Sequence, residues 1–282
     1  MLCYIPLEIR IKIYQFCYKK ELLNIGLCNK KYWNEVLPIL WSSFVVCGNL
    51  NIKLYKNNLK HTGIMGFYGM SREEIEDILP FVSVKLKTII IYQTIDGLLE
   101  LRKKIPTIQC LELSDVQSPN WDNIPCFRCL KELKISNCNV HDDVILKICG
   151  AQIRKLRVVM CQDLTAQYLQ NVSKFALLQE FTFSDIFRYI KENEFVCLSQ
   201  LNQLIRLNLS DTDVGDLLFK LAVDNYLKLE HLNLRFSNIS DIGLKYISKL
   251  KGLKTLNVEC CDVSNEGISF ISINICKLKI TM

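Results

Sequence analysis

The chain has 282 residues, half of them hydrophobic, with 35 basic and 29 acidic side chains and a net charge of +6. So mild an excess, with no sustained basic block, gives no support to nucleic-acid binding. No apolar run approaches the roughly 18 residues that cross a bilayer as a helix, so no membrane role is expected.

The opening places Glu8 and Arg10 where a secretory leader needs an uninterrupted apolar stretch. The expectation is a soluble protein of the cytoplasm, with the nucleus as the alternative. The 14 cysteines would suggest disulfides in a secreted chain. Here many sit inside apolar phrases, where a free thiol acts as a small hydrophobe, so reduced cysteines are expected. Cys126-Phe127-Arg128-Cys129 has metal-ligand spacing but lacks the second pair that structural zinc needs. No metal is expected there.

Residues 1–48 read as a small helical module. Ile9, Ile13, Phe16 and Cys17 recur at helical spacing, Leu22, Leu23, Leu27 and Cys28 form a second apolar segment, and Trp33, Val36, Leu37, Leu40 and Trp41 a third. Pro6 suits a first helical turn and Pro38 bends or ends a helix. Residues 49–80 read as a linker and transition segment. Gly63, Gly66 and Gly69 suggest loop, without the Lys-Ser/Thr ending of a phosphate loop. Ser71 followed by Glu74 has the form of a helix-capping box.

From residue 81 to 282 one phrase recurs about every 25 residues: apolar-x-x-apolar-x-apolar. Its clear copies start at Leu130, Ile153, Leu178, Leu204, Leu229 and Leu253, and weaker ones at Leu86 and Ile108. Within Leu207-Asn208-Leu209 the alternation has period two, so the leucines share one face of a short strand. Ile239, Ile242, Leu244, Ile247 and Leu250 then recur at helical spacing. A strand with one apolar face cannot cover itself, so the units must stack, with parallel strands lining an inner wall and helices outside.

This pattern resembles the leucine-rich repeats, and more narrowly their cysteine-containing subclass. Cys138, Cys161 and Cys261 stand at that subclass's cysteine position, Thr212 and Ser237 replace it in two repeats, and Val116 and Ile186 depart from it. The N-terminal module resembles an F-box: Ile5-Pro6-x-Glu8-Ile9, Ile13-Tyr14, Cys17, Leu22-Leu23, Leu27-Cys28 and Leu40-Trp41 follow that family's order, while Lys31 stands at its tryptophan and Trp33 comes two residues later. The fold class expected is therefore α/β, a leucine-rich-repeat solenoid of about eight repeats preceded by a small three-helix F-box-like bundle. The resemblance implies docking on a Skp1-type protein and, through it, a cullin–RING ubiquitin ligase, with the repeats holding a protein substrate. Ile5, Pro6, Ile9, Ile13, Leu22, Leu23 and Trp41 are the docking candidates. The alternative is a protein-binding scaffold whose bundle only caps the solenoid.

Catalysis has little to stand on. The three histidines, His61, His141 and His231, fall in no nucleophile or metal motif, and no cofactor motif is present. Asp211, Asp213 and Asp241 lie at strand-to-helix turns, where carboxylates cap helices. The outward-facing strand positions are the better candidates, and Lys134, Lys155, Arg157, Arg206, Asn208, His231, Asn233, Arg235 and Asn257 are the expected substrate-binding residues. Their cations suggest an acidic or phosphorylated partner.

Overall fold

The computed structural model describes residues 36, 43–47, 59, 62–82, 85–93, 98–116, 126–148, 150, 152–186, 190–275 and 278–281. Apart from Val36 and Ser43–Cys47, the expected F-box-like module lies outside them. The chain divides into two compact units, Met1–Ile108 and Gln109–Met282.

The first unit holds three described strands, β1 (Ser43–Cys47), β2 (Ile64–Tyr68) and β3 (Thr88–Tyr92), paired parallel. Register aligns Phe44, Met65 and Ile89 in one row and Val46, Phe67 and Ile91 in another. Met65, Phe67, Ile89 and Ile91 are buried. Helix α1 (Arg72–Ile78) follows β2 and starts with the expected box: Ser71 Oγ accepts from the Glu74 N–H while the Glu74 carboxylate accepts from the Ser71 N–H. Helix α2 (Leu98–Lys104) carries Glu100, nearly buried, whose carboxylate meets the Arg72 guanidinium at 2.6 Å.

The glycine stretch is not the loop that its composition suggests. Gly66 occupies the centre of β2, on the strand face opposite Met65 and Phe67, and only Gly69, at φ 57°, marks the turn that leaves the strand. A parallel strand buried on one face needs apolar residues only at alternate places, so a glycine between them is tolerated.

The second unit repeats one design. Its strands are β4 (Cys110–Ser114), β5 (Glu132–Ser136), β6 (Lys155–Val159), β7 (Glu180–Ser184), β8 (Arg206–Asn208), β9 (His231–Asn233), β10 (Thr255–Asn257) and β11 (Lys279–Thr281). All pair parallel in sequence order, and the second apolar residue of each phrase aligns with its equivalents, as in Phe181, Leu207, Leu232 and Leu256. The helices α3 (Val144–Ile148), α4 (Ala166–Val172), α5 (Asp216–Ala222), α6 (Asp241–Ile247) and α7 (Asn265–Asn274), with a 3₁₀ helix at Glu192–Gln200, occupy the return paths. Strand β11 answers to a further copy, Ile275-x-x-Leu278-x-Ile280, which the sequence reading passes over.

Three repeated contacts hold the units in register. The carbonyls of Gln109, Lys131, Arg154, Gln179, Ile205 and Glu230 each accept two successive N–H groups of the next repeat. At the strand exit Asp115, Asn137, Met160, Asp185, Asp211, Phe236 and Cys260 adopt positive φ. The N–H groups of Asp115, Asn137, Met160, Asp211 and Phe236 bond the next repeat's strand-end carbonyl, which fixes that corner. Asp and Asn suit this conformation, whereas Met160 and Phe236 adopt it at a steric cost. The expected cysteine position is the third contact. Cys138 Sγ donates to the Leu113 carbonyl, Cys161 to Ile135 and Cys261 to Leu234, each in the preceding repeat, whereas the hydroxyl of Thr212 bonds Leu209 of its own repeat and makes no such link. Burial pushes the Cys138 thiol up to about 12 and the Cys161 thiol up to about 11. Cys110, Cys126, Cys129, Cys138, Cys161, Cys197, Cys260 and Cys261 are free thiols.

Candidate functional site

A strand buried on one face presents its alternate side chains on the other. In the second unit the middle exposed position of each strand forms a row: Glu112, Lys134, Arg157, Thr182, Asn208, Asn233, Asn257 and Thr281, aligned strand by strand. The row changes character along its length. Its first three members are charged, and the last five are neutral and polar.

The charged part is largely self-paired. Lys134 Nζ lies 3.4 Å from Glu112 and 3.5 Å from Glu132. Burial works against its charge, yet the two carboxylates together hold its pKa above the ordinary value. Lys155 contacts Glu180 at 2.9 Å, and the same Glu180 oxygen lies 3.9 Å from Arg206. Arg235 meets Glu259 at 3.0 Å, with its guanidinium 4.3 Å above the Phe236 ring. Pairs of this exposure contribute little stability, but they offset the basic excess that the bare sequence suggests. Arg157 is exposed between Lys134 and Thr182.

The neutral part borders a groove of about 390 Å³ lined by residues of β7 to β11, among them Glu180, Thr182, Arg206, Asn208, His231, Asn233, Thr255, Asn257 and Thr281. Five of the nine expected substrate-binding residues therefore meet here: Arg206, Asn208, His231, Asn233 and Asn257. Lys134, Lys155, Arg157 and Arg235 do not line it. Thr281 also lines it and is absent from the expected set; its signal in the sequence is the copy of the phrase at Ile275-x-x-Leu278-x-Ile280. The Skp1-docking candidates, Ile5 to Trp41, lie outside the described residues.

The asparagines share one geometry. Oδ1 of Asn208 accepts from the Ser210 N–H at 3.0 Å, that of Asn233 from Arg235 at 3.2 Å, and that of Asn257 from Glu259 at 2.9 Å. Each side chain thus takes a backbone donor that would otherwise extend the ladder. The strands with Asn are three residues long, against five for β4 to β7. Beside this row, His231 Nδ1 lies 2.8 Å from Thr255 Oγ1. Burial, reinforced by the Arg206 charge, lowers the His231 pKa, so its ring is neutral at pH 7.

A smaller hollow of about 150 Å³ opens at the strand exits, lined by residues including Phe183, Phe195, Asp211, Asp213 and Phe236. Burial and the neighbouring Asp185 raise the Asp211 pKa. Among the described residues no group of three or more His, Cys, Asp or Glu side chains converges as a metal site would require, and no helix is long and apolar enough to cross a membrane.

Stacked strand–turn–helix units with an in-register apolar phrase define the second unit as a leucine-rich-repeat α/β fold. The comparisons agree at that level. A Leucine Rich repeat family model matches residues 227–248 and 252–272, which contain β9, α6, β10 and most of α7. The chain's structure is similar to that of an internalin (inlF) from Listeria monocytogenes, with a TM-score of 0.54 and 12% sequence identity, covering 90% of this chain and 76% of that one. At that identity the likeness speaks for the fold alone. No curated protein matches the sequence.

Proposed function

We propose that the chain is a protein-binding scaffold that catalyses nothing itself, and that the inner face of β7 to β11 is where a partner sits. The observation that carries this is the groove over that face, walled by aligned polar side chains on a rigid sheet. A sheet of this kind is pre-organised, so little ordering entropy is lost on binding. The finer reading is that of a substrate adaptor: the N-terminal module docks on a Skp1-type protein, and the repeats bring a substrate to a cullin–RING ligase. Its mechanism would be proximity alone, a rise in local substrate concentration. Support for it comes from the motif order Ile5-Pro6-x-Glu8-Ile9 to Leu40-Trp41. The free thiols fit the cytoplasm that this role requires.

The test is a binding titration of the intact chain with purified Skp1, alongside a variant carrying Ile9→Asp and Leu22→Asp. Binding that the double substitution abolishes, with the repeat unit still folded, supports the adaptor reading. Failure of the folded, unsubstituted chain to bind leaves the scaffold reading, in which the N-terminal residues only cover the end of the repeats.

A further inference from the structure

We infer that the inner face takes an extended segment of its partner and holds it by main-chain carbonyls, through the carboxamide row Asn208, Asn233 and Asn257. This inference rests on the reading of the inner face as the binding surface and specifies what that surface recognises.

The argument begins with the amide's two ends. In all three residues Oδ1 is engaged by the N–H two positions on, at 2.9 to 3.2 Å. The orientation of each carboxamide is set by its own strand, which leaves Nδ2, a donor only, as the end available to a partner on the groove that these residues line. The Cα atoms are register partners, Asn208 with Asn233 and Asn233 with Asn257. Three like donors thus stand in a line, flanked by Thr182 and Thr281. All three asparagines are half-buried, where a hydrogen bond is worth more than on an open surface.

The charges nearby narrow the occupant. Glu180 lies between Lys155 and Arg206, Glu230 contacts Lys254 at 2.7 Å, and His231 is neutral. Of the carboxylates and cations, only Glu180 and Arg206 line the groove itself, and they are of opposite sign, so it has no net charge to attract a phosphate or a polyanion. What it offers is donors without charge, and the abundant uncharged acceptor of an unfolded protein segment is its peptide carbonyl.

The test selects ligands for the intact chain from a displayed library of random 16-residue linear peptides and resynthesises the tightest. The informative variants are Asn208→Asp, Asn233→Asp and Asn257→Asp. Each keeps an oxygen for the strand's own N–H and replaces the donor with an anionic acceptor, so thermal unfolding should change little. Each should weaken peptide binding about tenfold or more, the loss of one hydrogen bond plus repulsion of a carbonyl. On the unsubstituted protein, replacing backbone amides by esters should weaken binding at the peptide positions whose carbonyls meet the asparagines, because the ester carbonyl is the poorer acceptor. Arg206→Glu marks the inner face independently of the row. Binding lost in Arg206→Glu but unchanged in the three Asn→Asp variants and in the ester series overturns the carboxamide row and leaves the inner-face reading standing. Binding insensitive to all of them overturns both. A library that yields no ligand overturns the extended-segment inference.

Discussion

Asp241 grips Ser264 with both carboxylate oxygens, Oδ1 accepting the backbone N–H at 2.9 Å and Oδ2 the hydroxyl at 2.6 Å. Ser264 is the N-cap of α7, and Asp241 is the first residue of α6 in the preceding repeat. Asp216 holds Ser240 in the same way at 3.0 and 2.6 Å, and Asp142 holds Thr165 at 2.7 and 2.6 Å. Each anion therefore lies over the positive end of its neighbour's helix and links two successive repeats.

Asp241→Ala should destabilise the chain by about 1–2 kcal/mol, the loss of a charged double hydrogen bond at a helix start. Urea unfolding measures it. A loss confined to a few tenths would mean that the contact is incidental.

The same contact controls a glycine. A Cβ at Gly267 would collide with Asp241 Oδ1, as one at Gly243 would with Asp216 Oδ1. A Gly→Ala change inside a helix ordinarily stabilises by about 0.5–1 kcal/mol. Gly267 is buried, and a Cβ there would also lie 3.2 Å from Leu244 Cδ1; Gly267→Ala should therefore destabilise the natural chain and cost clearly less in the Asp241→Ala background. Equal effects in both backgrounds in a double-mutant cycle would disprove the coupling.

Asp241 also gives an acid signature. The Ser264 hydroxyl and N–H lower its pKa below the usual carboxylate value. The stability it contributes is full above the unfolded pKa, near 3.8, and is lost as pH falls through the lower folded value. The gap between the natural chain and Asp241→Asn should therefore narrow as pH drops below about 4, followed by urea midpoints.

His231 acts over a different window. Burial lowers its pKa below 6.5, so below that pH the unfolded chain binds the extra proton and the fold does not. Stability should rise with pH from the folded value up to about 6.5 and level off above it. His231→Gln should reduce this slope, and an unchanged slope would assign the dependence elsewhere.

Core and rim should separate cleanly at β9. Leu232 is 2% exposed and packs in register between Leu207 and Leu256, so Leu232→Ala should cost about 2–5 kcal/mol. Asn233→Ala forfeits one hydrogen bond to the Arg235 N–H and should cost about 1 kcal/mol. Similar losses in a denaturant titration would mean that the strand faces are reversed.

Much of this was legible in the residues themselves. The phrase from Leu130 to Val258 gives strand positions and faces correctly, because period-two alternation and the choice of buried face are local properties. The Ser71–Glu74 box was legible for the same reason. Three strands escaped. Ser43–Cys47 lies at the end of the stretch read as a helical module. Met65-Gly66-Phe67 was hidden by flanking glycines, and Leu278-Lys279-Ile280 by its place at the end of the pattern. The expected cationic surface of Lys134, Lys155 and Arg235 turned out to be paired with carboxylates.

The sequence by itself determined the repeat, its phase and the apolar rows, since these follow from which residues are greasy and how often they recur. Only the tertiary structure decided that Glu180 stands between Lys155 and Arg206, that Asp241 bonds the cap residue Ser264, and that three asparagines line up with Oδ1 bonded to their own strands. Residues more than twenty positions apart meet only when one repeat stacks on the next, and that stacking register cannot be read along a single strand or helix.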